Sequence, residues 1–372
     1  MPHDDVGIVA DTSAAVVKGE NNTSARLSWV ILAAALLAMS SAGSVLRKLE
    51  TVPPLLRASW RLQATSALLG IGFMFQWRQQ PDDIRRRFVK YDVLGILLAS
   101  GLCLGLHFGA WVISLDLTTL PHSLLWVTSH PLIIVVGSLL LRQHVWPGEI
   151  AGSIVGFAGG GIVLLDAKTD TQSGGGGKDA SLQGDACAFL GAVAIVGYLI
   201  AGRSLRSWLP TFLYAFPVTS VAAVSTLVGA IVLEGADISL SDHGWTGYFG
   251  DARSFLLVAY LACFPGIVGH TGMNFVLRYI STIAVSITLI LEPVIGSLIG
   301  WPLGETNTPS MWTMFGFPLL VGGCALVTIS SHRRTHSQES DIDNTSIQTS
   351  SQDRVALKDY HLLKNEEGSE QL

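Results

Sequence analysis

The sequence predicts an all-α polytopic membrane protein, with ten transmembrane helices in two inverted five-helix repeats. Three observations lead there. Of the 372 residues, 49% are hydrophobic and only 14% charged, against roughly 25% charged in soluble domains. The apolar residues fall in blocks of about 18 or more, long enough to cross the hydrocarbon core of a bilayer. The second half of the chain also repeats, in order, a set of landmarks found in the first.

The chain opens on a polar segment, 1–27, with Asp4, Asp5, Asp11 and Glu20. It lacks the basic, apolar and cleavage regions of a secretory signal, so it reads as a cytoplasmic tail followed by a retained first span. Ten candidate spans follow, at roughly 28–46, 54–77, 93–114, 118–141, 148–165, 185–203, 210–233, 254–276, 281–301 and 310–331. The first five make one repeat, 28–165. "DAKTDTQSGGGGKDASLQG" (166–184) has four consecutive glycines and no apolar periodicity, the composition of a flexible linker. The last five spans make the second repeat, 185–331. Residues 332–372 are polar and read as a disordered cytoplasmic tail.

Lysine and arginine set the orientation. With the N-terminus inside, sixteen of them fall on the cytoplasmic side and five on the other. The basic loop "RQQPDDIRRRFVKYD" (78–92) is inside, and the acidic loop 234–253 is outside. Cytoplasmic loops carry the basic excess, so both termini are expected in the cytoplasm, in the plasma membrane or an internal one.

The repeat appears when "LDLTTLPHSLLWVTSHPLIIVVGSLLLRQ" (115–143) is set over "LRYISTIAVSITLILEPVIGSLIGWPLGE" (277–305). His130 falls on Glu292, Pro131 on Pro293, Leu115 on Leu277 and Leu141 on Leu303. After a two-residue insertion, Gly152 falls on Gly316 and Gly159 on Gly323; upstream, "HFG" (107–109) matches "HTG" (270–272). Five spans is an odd number, so the copies enter the membrane in opposite directions. That is the inverted-repeat plan of secondary transporters, whose site lies near the midplane between repeats.

Glu292 and Pro293 sit inside an apolar span. A charge at the bilayer centre costs about 2.5–3.5 kcal/mol on insertion scales. Proline removes a backbone donor and disturbs the turn before it. Both are tolerated facing a wet cavity but not facing lipid, so Glu292 is expected to line a central cavity, with helix kinks at Pro131 and Pro293. Repeat equivalence would bring His130 and Glu292 toward each other, where a pair lowers the burial cost of both and can exchange a proton.

His107 with Trp111, and His270 with Asn274, are spaced four apart and share helix faces. They suit a polar organic solute, or equally serve as interhelical hydrogen-bonding glue. Arg61, inside span two, is a structural counter-charge or a contact for an anion. The expected cavity-lining set is therefore Glu292, His130, His107, His270, Asn274, Trp111 and Arg61. The four cysteines, all within spans, have no metal-ligand spacing, and neither a metal nor a cofactor is expected.

These residues carry a family resemblance. "GHTGMNFVLRYISTIAVSITLILEPVIGSLIGWPLGE" (269–305) resembles the second half of an EamA-domain transporter of the drug/metabolite transporter superfamily. "PPLLRASWRLQATSALLG" (53–70) is similar to that family's second span, and "SHPLIIVVGSLLLRQHVWPGEIAGSIVGFAGGGIVLL" (129–165) to its fourth and fifth. Gln143 stands where the family often has glutamate. The resemblance covers about 28–331 and implies ten helices in two inverted halves and solute transport.

The expected function is secondary-active, alternating-access transport of a small polar organic metabolite, with protons as a candidate coupling ion. The alternative is a nucleotide-sugar or phosphorylated-metabolite exchanger, which calls for a more basic cavity than these spans offer. An enzyme is disfavoured, since HExxH, GxSxG and paired intramembrane aspartates are all missing. A channel is disfavoured because no ring of like residues is evident. The expected partners are a solute and the lipid bilayer, not nucleic acid. The oligomeric state is left open.

Overall fold

A computed structural model describes residues 27–143, 145–165, 179–239, 244–276, 288–305 and 310–334. The tail before Leu27, most of the 166–184 linker, residues 277–287 and the tail beyond Arg334 lie outside the described residues. Among those described, the chain is helical apart from turns and one isolated β-bridge, Asp237 to Gly244.

The long helices are α1 (Leu27–Arg47), α2 (Pro54–Gln79), α3 (Tyr91–Leu117), α4 (Leu120–Leu140) and α5 (Pro147–Val163). They continue as α6 (Leu182–Arg206), α7 (Thr211–Glu234), α8 (Ala252–Thr271, extended by Gly272–Val276), α9 (Thr288–Gly300) and α10 (Met311–Arg334). A short polar helix, Asp82–Phe88, joins α2 to α3. Seven of these, α1, α3, α4, α6, α7, α8 and α10, are long and apolar enough to cross a membrane. The sequence suggests ten spans, and the difference has physical causes. Helix α2 is about 39 Å long, but Arg57 and Arg61 lower its hydropathy. Helix α5 has 17 residues, and the described part of α9 is shorter still.

Outward faces confirm the environment. On α3, Leu94, Leu98, Leu102 and Leu106 are all exposed at four-residue spacing, while Leu97, Leu104 and Phe108 are buried. Val224, Val228 and Val232 repeat the pattern on α7. A stripe of exposed branched aliphatics on a helix whose other face is also apolar is a surface made for acyl chains. The chain is an integral membrane protein.

Prolines shape three helices. Helix α4 is in two pieces, Leu120–Val127 and His130–Leu140, separated by Thr128–Ser129. Pro131 has no N–H to offer the carbonyl of Val127. Helix α9 has the same form, with a turn at Leu291 and a fresh helical start at Glu292, before Pro293. Helix α8 widens into π turns over Ala262–Thr271, around Pro265.

Helix α3 packs along α6 and α7, α2 along α7, and α8 along α2. Helix α9 crosses α4, where a Cβ on Gly296 would stand 2.5 Å from Leu124. Glycine allows backbones to touch at the α5–α10 seam. A Cβ on Gly152 would lie 2.8 Å from the carbonyl oxygen of Gly323, and one on Gly316 would lie 2.6 Å from that of Gly159. Helix α8 meets α1 likewise, with Gly269 against Met39. Polar contacts join α2 to α7, where the hydroxyls of Ser66 and Ser220 are 2.6 Å apart and Ser59 donates to the carbonyl of Ala223.

Candidate functional site

Arg61 lies two turns into α2 and is only 3% exposed. Its guanidinium sits 4.4 Å over the ring of Phe108 and 5.5 Å from that of Trp111, both on α3. The negative ring faces supply part of the stabilisation that water would give a guanidinium. Its Nη1 has no hydrogen-bond partner, and no described carboxylate comes within ion-pairing distance of it. The acid that acts on Arg61 electrostatically is Glu292, across the bundle on α9. The indole Nε1 of Trp111 is likewise buried without a partner.

Histidines surround the same point. The Nδ1 of His107 is 2.8 Å from the carbonyl oxygen of Gly191 on α6. A carbonyl only accepts, so Nδ1 carries the proton and the neutral ring keeps Nε2 as its acceptor. The ring of His107 meets Phe108 edge-on at 4.9 Å, and His270, on the π segment of α8, meets Phe108 edge-on at 5.9 Å. His130 is within electrostatic reach of His107, and both His107 and His270 are within reach of Arg61. His107, His130, His270 and Glu292 are half-buried, enclosed by protein yet retaining accessible surface.

The structure thus brings Arg61, His107, Trp111 and His270 around Phe108, with His130 and Glu292 at longer range. The side chain of Asn274 is outside the described residues. No ion pair joins His130 to Glu292. Glu292 faces the field of Arg61 instead, and that corrects the expected His130–Glu292 pair. The sequence reading also missed Phe108, although "HFGAW" placed it beside His107 and three residues before Trp111.

A second polar group was also missed. It closes the end of the bundle where the sequence puts the outside. Arg57 is fully buried, pairs with Asp116 and donates to the carbonyl of Leu46. Glu234 accepts the first free N–H groups of α2, from Leu55 and Leu56, at 2.7 and 3.1 Å. Lys48 pairs with Glu305 at 2.6 Å, and Arg47 donates to the carbonyls of Thr118 and Glu305. His122 and Asp185, both almost wholly buried, meet at 3.0 Å, with Thr118 also donating to Asp185 and Thr313 against the far side of the imidazole. These contacts tie α1, α2, α3, α4, α6, α7 and the ends of α9 and α10 together.

Fold and surface define an all-helical integral membrane protein with a polar interior site. No family model matches the chain. A protein of Bacillus subtilis (strain 168) named as an uncharacterized transporter, YyaM, is 24% identical over 251 residues, which span 66% of this chain and 76% of that protein. One solved crystal structure, 20% identical, covers 83% of this chain and 98% of its own, with a TM-score of 0.50. That likeness is one of fold.

Proposed function

We propose that the protein is a secondary carrier that moves a small polar organic solute by alternating access between two inverted five-helix halves. The observation that carries this reading is the half-buried polar cluster where the interrupted helices α4 and α9 face α2, α3 and α8. A membrane interior holds an acid, a guanidinium and three imidazoles at a cost, and such groups mark solute and proton pathways.

Helix neighbours support the two-fold relation. Moving each helix five places on turns the α3–α6 contact into α8–α1 and α3–α7 into α8–α2. It leaves α2–α7, α4–α9 and α5–α10 unchanged. Each of these contacts is made. The interruptions at Ser129-His130-Pro131 and Leu291-Glu292-Pro293 are equivalents under the same operation. The Bacillus relative's name points in the same direction.

An exchanger of nucleotide sugars or phosphorylated metabolites fits less well. Arg57 is committed to Asp116, and Arg47 to backbone carbonyls, which among these three described arginines leaves Arg61 to face a multiply charged phosphate. Proton coupling through Glu292 belongs to the preferred reading.

The test is uptake and counterflow in proteoliposomes against a metabolite library. Saturable uptake accelerated by solute inside the vesicle is expected. Flux that rises linearly and shows no counterflow excludes a carrier. Flux indifferent to an imposed pH gradient removes proton coupling.

A further inference from the structure

We propose that Arg61 is the anion-recognition residue of this site, and that the solute is a small monocarboxylate with a planar apolar body. The inference rests on the carrier reading and names its substrate class.

Recognition by Arg61 follows from its surroundings. The residue is almost wholly buried, its guanidinium makes no hydrogen bond to any described residue, and its Nη1 is orphaned. A structural arginine at this depth is ordinarily paired, as Arg57 is with Asp116 on the same helix. Phe108 holds the guanidinium by its face, at 4.4 Å. That contact spends none of the N–H donors, and it is these that grip a carboxylate bidentately. The indole N–H of Trp111, next to it and also without an acceptor, is a second donor for the same oxyanion.

Charge selects a monoanion. The titratable groups within electrostatic reach of Arg61 are His107 from α3, His270 from α8 and Glu292 from α9, with His130 of α4 within reach of His107. One guanidinium balances one negative charge, so a monocarboxylate competes with Glu292 for it on equal terms, whereas a phosphate dianion brings a second charge that Arg61 cannot offset. Phe108 and Trp111, both buried, pack beside the guanidinium, and an aromatic neighbourhood favours a flat apolar body over a sugar.

The test uses the full-length protein in detergent and in proteoliposomes, with three probes: 3-phenylpropionate, 3-phenylpropanamide and phenyl phosphate. Ligand-induced thermal stabilisation gives affinity, and counterflow gives transport. The acid is expected to bind about 10–100-fold more tightly than its amide, the span of one charge-assisted hydrogen-bonded contact, and more tightly than phenyl phosphate. Arg61→Gln is expected to erase the preference for acid over amide. Arg61→Lys is expected to keep part of it, since an ammonium has charge without the fork. The wild-type comparison of acid and amide decides the matter even if a variant does not fold. Equal binding of acid and amide, no response to the acid, preference for the phosphate, or an Arg61→Gln protein that still prefers the acid overturns the inference. Counterflow of neutral solutes with no carboxylate preference overturns it too, while leaving the carrier reading standing. Tight acid binding without counterflow sinks the carrier reading alone.

Discussion

The guanidinium carbon of Arg61 stands over the ring of Phe108, 4.4 Å from the ring centroid, and this contact joins α2 to α3 in the depth of the bundle. It lets one cation stay in an apolar interior without a carboxylate in contact. A salt bridge there would satisfy the arginine but also saturate it. An aromatic seat holds it in place and keeps its hydrogen-bonding edge unspent.

The strength of that seat is measurable by a double-mutant cycle. Phe108→Leu keeps the apolar contact and removes the ring face. Its effect on unfolding stability is expected to be about 0.5–2 kcal/mol larger in the presence of Arg61 than in an Arg61→Gln background. Thermal or denaturant unfolding of the four purified proteins gives the coupling. A coupling of zero means that Phe108 is only filler.

Glu292 and an anionic solute compete for the same cation. Glu292→Gln removes the negative charge and is expected to tighten 3-phenylpropionate binding by about tenfold, the scale of a 1–2 kcal/mol Coulomb interaction in a partly hydrated interior. The variant should also lose any response of flux to a pH gradient. Weaker binding in Glu292→Gln means that the carboxylate holds the site together instead of opposing the ligand.

Legibility in the sequence followed distance along the chain. Glu292-Pro293 and His130-Pro131 broke an otherwise apolar pattern, so their segments declared themselves before any coordinates. His107 and Trp111 shared a helix face by spacing alone. Partnerships across the bundle were not legible. Arg57 with Asp116 and His122 with Asp185 are 59 and 63 positions apart, and each acid stands at a helix end, where an acid is ordinary. Phe108 looked like any core aromatic until α2 was laid against α3. The widened turns of α8 had only Pro265 to announce them.

The buried His122–Asp185 pair carries a prediction about folding. His122 is 1% exposed and Asp185 2%, and with Thr118 and Thr313 they clamp α4, α6 and α10. His122→Ala leaves a buried carboxylate held by Thr118 and should cost about 3–5 kcal/mol. Removing both side chains, in His122→Ala/Asp185→Ala, should cost less than the sum of the two single losses, because the stranded charge goes with its partner. Strict additivity in unfolding experiments would show that the pair is not a unit.

The α5–α10 seam gives the sharpest steric test. Gly323 faces Gly156 so closely that a Cβ added to it would lie 2.4 Å from the Cα and N of Gly156. Those are backbone atoms, which no rotamer change can move aside. Gly323→Ala must therefore push the two helices apart, losing contacts along the seam from Gly152 to Gly316. A loss of about 1–3 kcal/mol is expected, in the range of an overpacked core. Gly161 is on the same helix as Gly156, but a Cβ there meets nothing within 4 Å. Gly161→Ala should be neutral, or stabilising by up to about 1 kcal/mol from helix propensity. The two variants add the same methyl group to the same pair of helices and differ only in what that methyl meets. Equal thermal shifts for both would mean that the helices do not approach at Gly156 and Gly323, and would undo the α5–α10 contact on which one of the three self-paired positions of the two-fold depends.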